Sequence, residues 1–233
     1  MWSASSNSIL FYFPLNSLPA VADHPEEEKF MRGIAVVDNY LCVGTSFGTL
    51  HALNADVVQG SAENAVDFSL AFSLQPDHYP ITAMASYQSI LSVTNDSGAI
   101  FGYNSSEAFL QIYAFPGCGY PCTCLVHKDN VLIGGFSSGH IRLFRTDIQE
   151  LAVEVTAHAR PVTGLSLHPT LNMVVSCSQD QFLHVWEVGV CIWGVQSKFL
   201  IVDRERDYMR MYYLYIVLHS NNNIGQFMYV IWW

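Results

Sequence analysis

The chain is short of positive charge, of long apolar runs and of any cysteine pattern, and each shortage removes a class of protein. Of its 233 residues only 10 are Lys or Arg, against 20 Asp or Glu, for a net charge of -10. Between Gly33 and Val188 the only basic residues are Lys128, Arg142, Arg145 and Arg160. Such a surface offers no footprint for a phosphate backbone, so nucleic acid is not an expected partner, whereas basic protein segments are compatible with it. No apolar run approaches the roughly 18 residues of a membrane helix. The nearest, Met211 to Leu218, stops at His219-Ser220-Asn221, and no membrane span is expected. The cysteines (Cys42, Cys118, Cys122, Cys124, Cys177 and Cys191) have no disulfide-framework spacing. Residues 1–20 lack a basic stretch followed by an apolar core, so a reducing compartment, the cytoplasm, is the expected location. No glycine-rich loop lies between a strand and a helix to cradle phosphate, and no cofactor is expected.

What the chain does contain is a repeat. Pro80-Ile81-Thr82, Pro121-Cys122-Thr123 and Pro161-Val162-Thr163 recur at intervals of about 40 residues, each ahead of a short apolar strand. A second register runs through Gly48, Gly98, Gly139 and, in the fourth copy, Gln181. Two positions later stand Leu50, Ile100, Ile141 and Leu183; five later, Leu53, Tyr103, Phe144 and Trp186. A period near 40 with strand signals inside it is the mark of a β-propeller blade.

Each unit reads as an inner strand, a second strand, a tight turn and a third strand of period-two alternation. In the third unit these are Cys122 to Val126, Val131 to Gly135 and His140 to Arg145. Outer strands fit Ala108 to Phe115 and Glu150 to Thr156. Asn130 and Ser137-Ser138-Gly139 suit hairpin turns. The expected fold is all-β: about four blades of four antiparallel strands in an incomplete ring. A single blade cannot bury both faces, so stacking of neighbours makes the core.

The expected organisation is an N-terminal extension over 1–29, an added strand plus an acidic linker; a propeller segment over 30–188; and a non-repeat apolar tail over 189–233. Gln59 to Asn64 reads as a loop insertion, and Trp232-Trp233 closes the tail. Open blade edges and the apolar tail are both expected routes to self-association.

The fourth unit runs Ala157-His158-Ala159-Arg160-Pro161, then Ser176-Cys177-Ser178-Gln179-Asp180, then His184-Val185-Trp186-Glu187. It closely resembles a WD repeat, with Ala-His for Gly-His and Trp-Glu for Trp-Asp. Further stretches, among them Arg32-Gly33-Ile34-Ala35 and Phe115-Pro116-Gly117, are similar to the WD repeat-containing protein 54 family. The resemblance covers Phe30 to about Val188. It implies a longer protein with blades on both sides, so that this chain is a truncated or alternatively ended member. It also implies an adaptor role and a structural hydrogen-bond chain from a loop histidine, through a strand serine and a turn aspartate, to the tryptophan: His158, Ser176, Asp180 and Trp186. A buried indole needs a partner for its donor, and a buried carboxylate is tolerated only when hydrogen-bonded.

Three constellations invite a chemical reading. His158, Ser176 and Asp180 are the residue types of a nucleophilic triad, which would make a propeller-based hydrolase, but the repeat spaces them to support one blade. Cys118, Cys122, Cys124 and His127 invite zinc, yet the spacing lacks a second cysteine pair, and small residues on a tightly packed inner strand explain Cys122 and Cys124. No metal and no catalytic residue are therefore expected. Third, Tyr79, Tyr120 and Arg160 stand just before inner strands, at one rim, with Phe47 and Phe136 near the adjoining turns. Aromatic and arginine side chains anchor protein partners, so a scaffold or adaptor binding other proteins on rim loops is the expected function. A structural fragment completed by other blades or another chain is the alternative.

Overall fold

Each Pro-x-Thr opens an inner strand because each of its three residues has a separate task in joining two sheets. The computed structural model describes residues 31–57, 66–191, 194–205, 208–218 and 224–227. The expected N-terminal strand and linker, the loop insertion at Gln59 to Asn64 and the Trp232-Trp233 end lie outside the described residues.

Four antiparallel sheets follow in chain order. The first is β1 (Met31–Val37), β2 (Tyr40–Thr45), β3 (Leu50–Val57) and β4 (Val66–Leu74). The second is β5 (Ile81–Tyr87), β6 (Ile90–Asn95), β7 (Ile100–Asn104) and β8 (Leu110–Phe115). The third is β9 (Cys122–Lys128), β10 (Val131–Phe136), β11 (His140–Arg145) and β12 (Glu150–Thr156). The fourth begins with β13 (Val162–Leu167), β14 (Met173–Ser178) and β15 (Leu183–Cys191). Within each sheet the strands pair in chain order, which is the up-and-down meander of a propeller blade. The ring is incomplete, and among the described residues blades 1 and 4 stand at its two ends.

The proline carbonyl takes the amide of the turn that follows the second strand. Asp96 N donates to Pro80 O at 3.0 Å, Ser137 N to Pro121 O at 2.9 Å and Gln179 N to Pro161 O at 3.1 Å. The middle residue, Ile81, Cys122 or Val162, is fully buried against the preceding blade. At the third seam the fit needs a glycine, since a Cβ on Gly135 would lie 2.6 Å from Val162 Cγ1. The threonine is the bulged residue: pairing skips Thr82, Thr123 and Thr163, and in the first blade Arg32. Bulging turns the hydroxyl sideways, and Thr123 Oγ1 donates to the Val162 carbonyl of the next blade at 2.5 Å.

The turn register has an equally direct cause. Gly48, Gly98, Gly139 and Gln181 all take positive φ, between 74° and 82°. The turn also lies under the loop of the following blade. A Cβ on Gly139 would come within 2.1 Å of the His158 carbonyl, while His158 N donates to Gly139 O at 3.0 Å. Space and φ therefore both select glycine there.

Two details differ from the sequence reading. In the two-residue turns between first and second strands, positive φ falls on Asp38, Gln88 and Asp129, the residue before Asn130 in the third case. The outer strand of blade 2 starts at Leu110 and not Ala108, because Ala108 and Phe109 take left-handed φ of 52° and 57° after a 3-10 turn at Ser105–Glu107. That kink carries the Phe109 ring inward onto Phe72, at 4.6 Å between centroids.

Beyond Val188 the fourth sheet continues. β15 forms a hairpin with β16 (Gly194–Glu205), which pairs with β17 (Tyr208–Leu218) and then β18 (Ile224–Phe227). At 12 and 11 residues, β16 and β17 are about twice the length of most inner strands, which is why they carry no blade register.

The core lies between blades. One cluster joins blades 1 and 2 around Cys42, Leu50, Ile81 and Leu91; the next joins blades 2 and 3 around Ile100, Cys122 and Leu132; the third joins blades 3 and 4 around Ile133, Val162, Val174 and Trp186.

Candidate functional site

The polar constellation of blade 4 is one continuous hydrogen-bonded chain. His158 comes from the loop before β13, Ser176 from β14, Asp180 from the following turn and Trp186 from β15. His158 Nδ1 meets Asp180 Oδ2 at 2.9 Å, His158 Nε2 meets Ser176 Oγ at 2.8 Å, and Trp186 Nε1 donates to Ser176 Oγ at 2.8 Å. The order is therefore Asp180, His158, Ser176, Trp186. The aspartate terminates the chain at the histidine and does not stand between serine and tryptophan.

The tryptophan sets the first direction in this chain. The indole can only donate, so Ser176 accepts from it; with a neutral imidazole, Ser176 gives its own proton to His158 Nε2 and Nδ1–H serves the carboxylate. Asp180 also accepts the Phe182 amide at 3.0 Å and the Ala159 amide at 3.1 Å. Burial works against the charged carboxylate, but these amides and the His158 ring outweigh it and hold the Asp180 carboxyl below its ordinary range. His184 stacks on His158 at 4.2 Å and 7°, and burial pushes the His184 imidazole down to about 4.

The three residues Asp180, His158 and Ser176 thus have the connectivity of a hydrolytic triad but not its access. Ser176 is 0% exposed, with the His158 ring on one side and the indole on the other. A substrate carbonyl has no approach to its oxygen.

The cysteine cluster is divided among separate tasks. Cys122 fills the seam between blades 2 and 3, and burial pushes its thiol up to about 12; Cys124 is pushed up to about 11 for the same reason. Cys118 Sγ receives Arg142 Nη1 at 2.5 Å, and His127 turns toward blade 2. Among the described residues no group of His, Cys, Asp and Glu is arranged to hold a metal ion.

A second buried network was not visible as such in the sequence. Ser92 Oγ lies 2.7 Å from Tyr113 Oη and 3.0 Å from His127 Nδ1, tying blade 2 to the inner strand of blade 3. Burial pushes His127 down to about 4 and Tyr113 up to about 12. One signal was present: Ser92 occupies the register position held by Cys42, Ile133 and Val175 in the other blades, a polar residue where the repeat is otherwise apolar or thiol. Asp77 likewise occupies the loop position of His158, three residues before the proline, and it accepts from Asn95 Nδ2 at 2.5 Å.

Of the expected rim residues, Tyr79 and Tyr120 are 54% and 51% exposed, and Arg160 is exposed. They lie at equivalent positions of blades 2, 3 and 4, at the end where the turn glycines also lie. Arg160 makes no ion pair among the described residues, whereas Arg142 and Arg145 pair with Glu154 and Asp147. Phe47 is half-buried. Phe136 is not a rim residue: it is 0% exposed, packed in the seam between blades 2 and 3, with the Arg142 guanidinium 4.4 Å from its ring centroid. Its position at the end of β10 places it under the turn, and the seam needs its volume. At the opposite rim a cleft of about 360 Å³ opens between blades 3 and 4, lined by Lys128, Arg145, Leu167 and Leu171 among others.

Comparison with known proteins agrees with this architecture. The sequence profile of the WDR54 family matches residues 1–200. WD repeat-containing protein 54 of Mus musculus is 26% identical over 196 residues, covering 81% of this chain and 56% of its own length; the Homo sapiens protein is 25% identical over the same span. Protein ROOT INITIATION DEFECTIVE 3 of Arabidopsis thaliana is 29% identical over 98 residues, 42% of this chain and 22% of that protein. The chain thus spans about half the length of its curated relatives. In fold it is similar to a chain of the mitotic checkpoint complex (TM-score 0.60, 13% identity, covering 85% of this chain and 68% of that one). It is also similar to the computationally designed Ika4 protein (TM-score 0.59, 19% identity, 70% and 94%).

Proposed function

The chain belongs to the WDR54 family, and on that premise we propose that it is a non-catalytic docking platform, binding other proteins at the rim that carries Tyr79, Tyr120 and Arg160. WD-repeat propellers are in general interaction scaffolds without catalytic activity, and the enclosed Ser176 supports the same reading here. The observation that carries it is the repetition at the rim. Three successive blades present a large side chain immediately before the proline, exposed each time, although the neighbouring positions of the same loops are drawn into hydrogen bonds. Tyrosine and arginine are enriched where binding energy concentrates. The acidic balance of the blades suits partners with basic segments. The cysteines support a cytoplasmic location: Cys42, Cys118, Cys122, Cys124 and Cys177 are all free.

The test is cross-linking of the parent and of the triple variant Tyr79→Ala/Tyr120→Ala/Arg160→Ala in cytoplasmic extract, with the captured proteins identified by mass. All three side chains are exposed, so the variant is expected to melt like the parent while losing the specifically captured partners. A variant that melts like the parent and captures the same proteins would overturn the assignment of this rim.

A further inference from the structure

The row of side chains beside the turn between first and second strands is filled differently from blade to blade. Strand pairing sets Val37, Tyr40 and Asn54 side by side in blade 1, and Tyr87, Ile90 and Asn104 in blade 2. In blade 3 the row is Lys128, Val131 and Arg145, so two of the four basic residues between Gly33 and Val188 stand in it. Val131 shares its face with Ile133, and Arg145 with Leu143, both buried in the seam with blade 4. The cationic row therefore looks toward blade 4.

The following blade covers the first two rows. Phe109 of blade 2 packs on Tyr40 at 5.2 Å between centroids. Tyr87 meets blade 3 through the Asp129 carboxylate at 2.6 Å and the His127 ring at 5.6 Å. The row of blade 3 borders instead the cleft of about 360 Å³, whose far wall is Leu167 and the 51% exposed Leu171. That volume stands at the lower end of the roughly 300–1,000 Å³ of binding clefts, which suits a short segment. Lys128 is half-buried and makes no ion pair among the described residues. Asp129 also borders the cleft, but its carboxylate is held by Tyr87 on the side of blade 2. Arg145 gives Nε and Nη2 to Asp147, which leaves Nη1.

We infer that this cleft is a second docking site, for a protein segment that carries a carboxylate beside a large apolar side chain. The carboxylate meets the Lys128 ammonium and Arg145 Nη1, and the apolar side chain packs between Val131 and Ile133 on one wall and Leu171 on the other. Two cations gathered in one cleft of an acidic chain are complementary to an acid. A lysine and a guanidinium already shared with Asp147 carry the charge for a single carboxylate. A phosphate dianion would meet the Asp129 and Asp147 charges as well. The cleft lies at the rim opposite Tyr79, so the inference is independent of the function proposed above.

Selection of random short peptides, displayed on phage, against the immobilised full chain tests it, with Lys128→Glu as the counter-selecting variant. Enriched peptides are expected to share Asp or Glu next to Leu, Ile or Phe. A labelled peptide of that kind, followed by fluorescence anisotropy, is expected to bind Lys128→Ala and Leu171→Asp about tenfold more weakly or worse. Lys128→Arg should keep the affinity, and Tyr79→Ala, at the other rim, should leave it unchanged. Lys128 and Leu171 both reach solvent, so these variants are expected to melt like the parent. Selection that enriches no acidic and apolar sequence over Lys128→Glu would overturn the inference. Unchanged binding to folded Lys128→Ala would overturn it too. Tighter binding of the peptide with phosphoserine in place of its acid would overturn the carboxylate assignment in favour of a phosphate site.

Discussion

Replacing Ser176 by alanine removes one oxygen and leaves two buried groups without a partner. The indole Nε1–H of Trp186 and Nε2 of His158 each lose a 2.8 Å bond, and neither can reach water, since Ser176 is 0% exposed and His158 and Trp186 are buried. An unsatisfied buried polar group costs about 1–3 kcal/mol, so with two of them the variant should lose about 2–6 kcal/mol. At this chain length about 1 kcal/mol moves the melting temperature by roughly 2–4 °C, which places the fall between roughly 4 and 24 °C. Thermal melts followed by circular dichroism would measure it for Ser176→Ala, Trp186→Phe and the double variant. The double variant has no indole donor left to orphan, so its loss should be smaller than the sum of the two single losses. Melting of Ser176→Ala indistinguishable from that of the parent would refute the reasoning, and strictly additive losses would place the two residues in separate environments.

Other consequences follow from the same contacts. His127 and His184, each lowered by burial to about 4 from 6.5, take up protons in the unfolded chain first. Stability should therefore fall from about pH 6.5 to about pH 4 and this contribution then level off. The contribution of Asp180, present above the ordinary carboxylate range, is lost only as pH falls through its depressed folded value. Urea midpoints that stay constant between pH 7 and pH 4 would contradict both histidine environments. Gly139→Ala meets a carbonyl oxygen at 2.1 Å, whereas Gly119, at φ 79°, has nothing within 4 Å. The second substitution should cost about 1–2 kcal/mol for backbone strain alone and the first clearly more, which paired chemical denaturation would show. Ile81→Ala, at the seam of blades 1 and 2, should cost about 2–5 kcal/mol, checked in the same experiment.

The repeat was legible because its positions answer to backbone needs that side chains advertise. Proline, a small or β-branched residue, threonine and the turn glycine are each required by one carbonyl, one seam, one bulge or one positive φ. Gln181 shows the strength of the register: it was aligned with three glycines by spacing alone and takes the same φ, 74°. The partners of His158 and Trp186 were legible for a related reason, since two buried donors must find acceptors. The order of the four residues was not, because a strand serine and a turn aspartate are equally near in sequence and only the loop decides which faces the imidazole. Phe136 failed as a rim residue because spacing places a residue along a strand without saying which side a twisted blade buries. The Ser92, Tyr113 and His127 network was hidden because it crosses a seam, and its members lie 21 and 35 residues from Ser92. Pairwise contact between blades leaves no local pattern for a single sequence to show.

The polar chain of blade 4 supports the fold, and the proposed function resides on the surface. The structural role of Ser176 is tested most directly by exposing the folded protein to a fluorophosphonate that reacts with activated serine, followed by peptide mass analysis. No adduct is expected at Ser176 below the melting transition. A stoichiometric adduct at Ser176 on protein that still melts like the parent, abolished by Ser176→Ala, would contradict it.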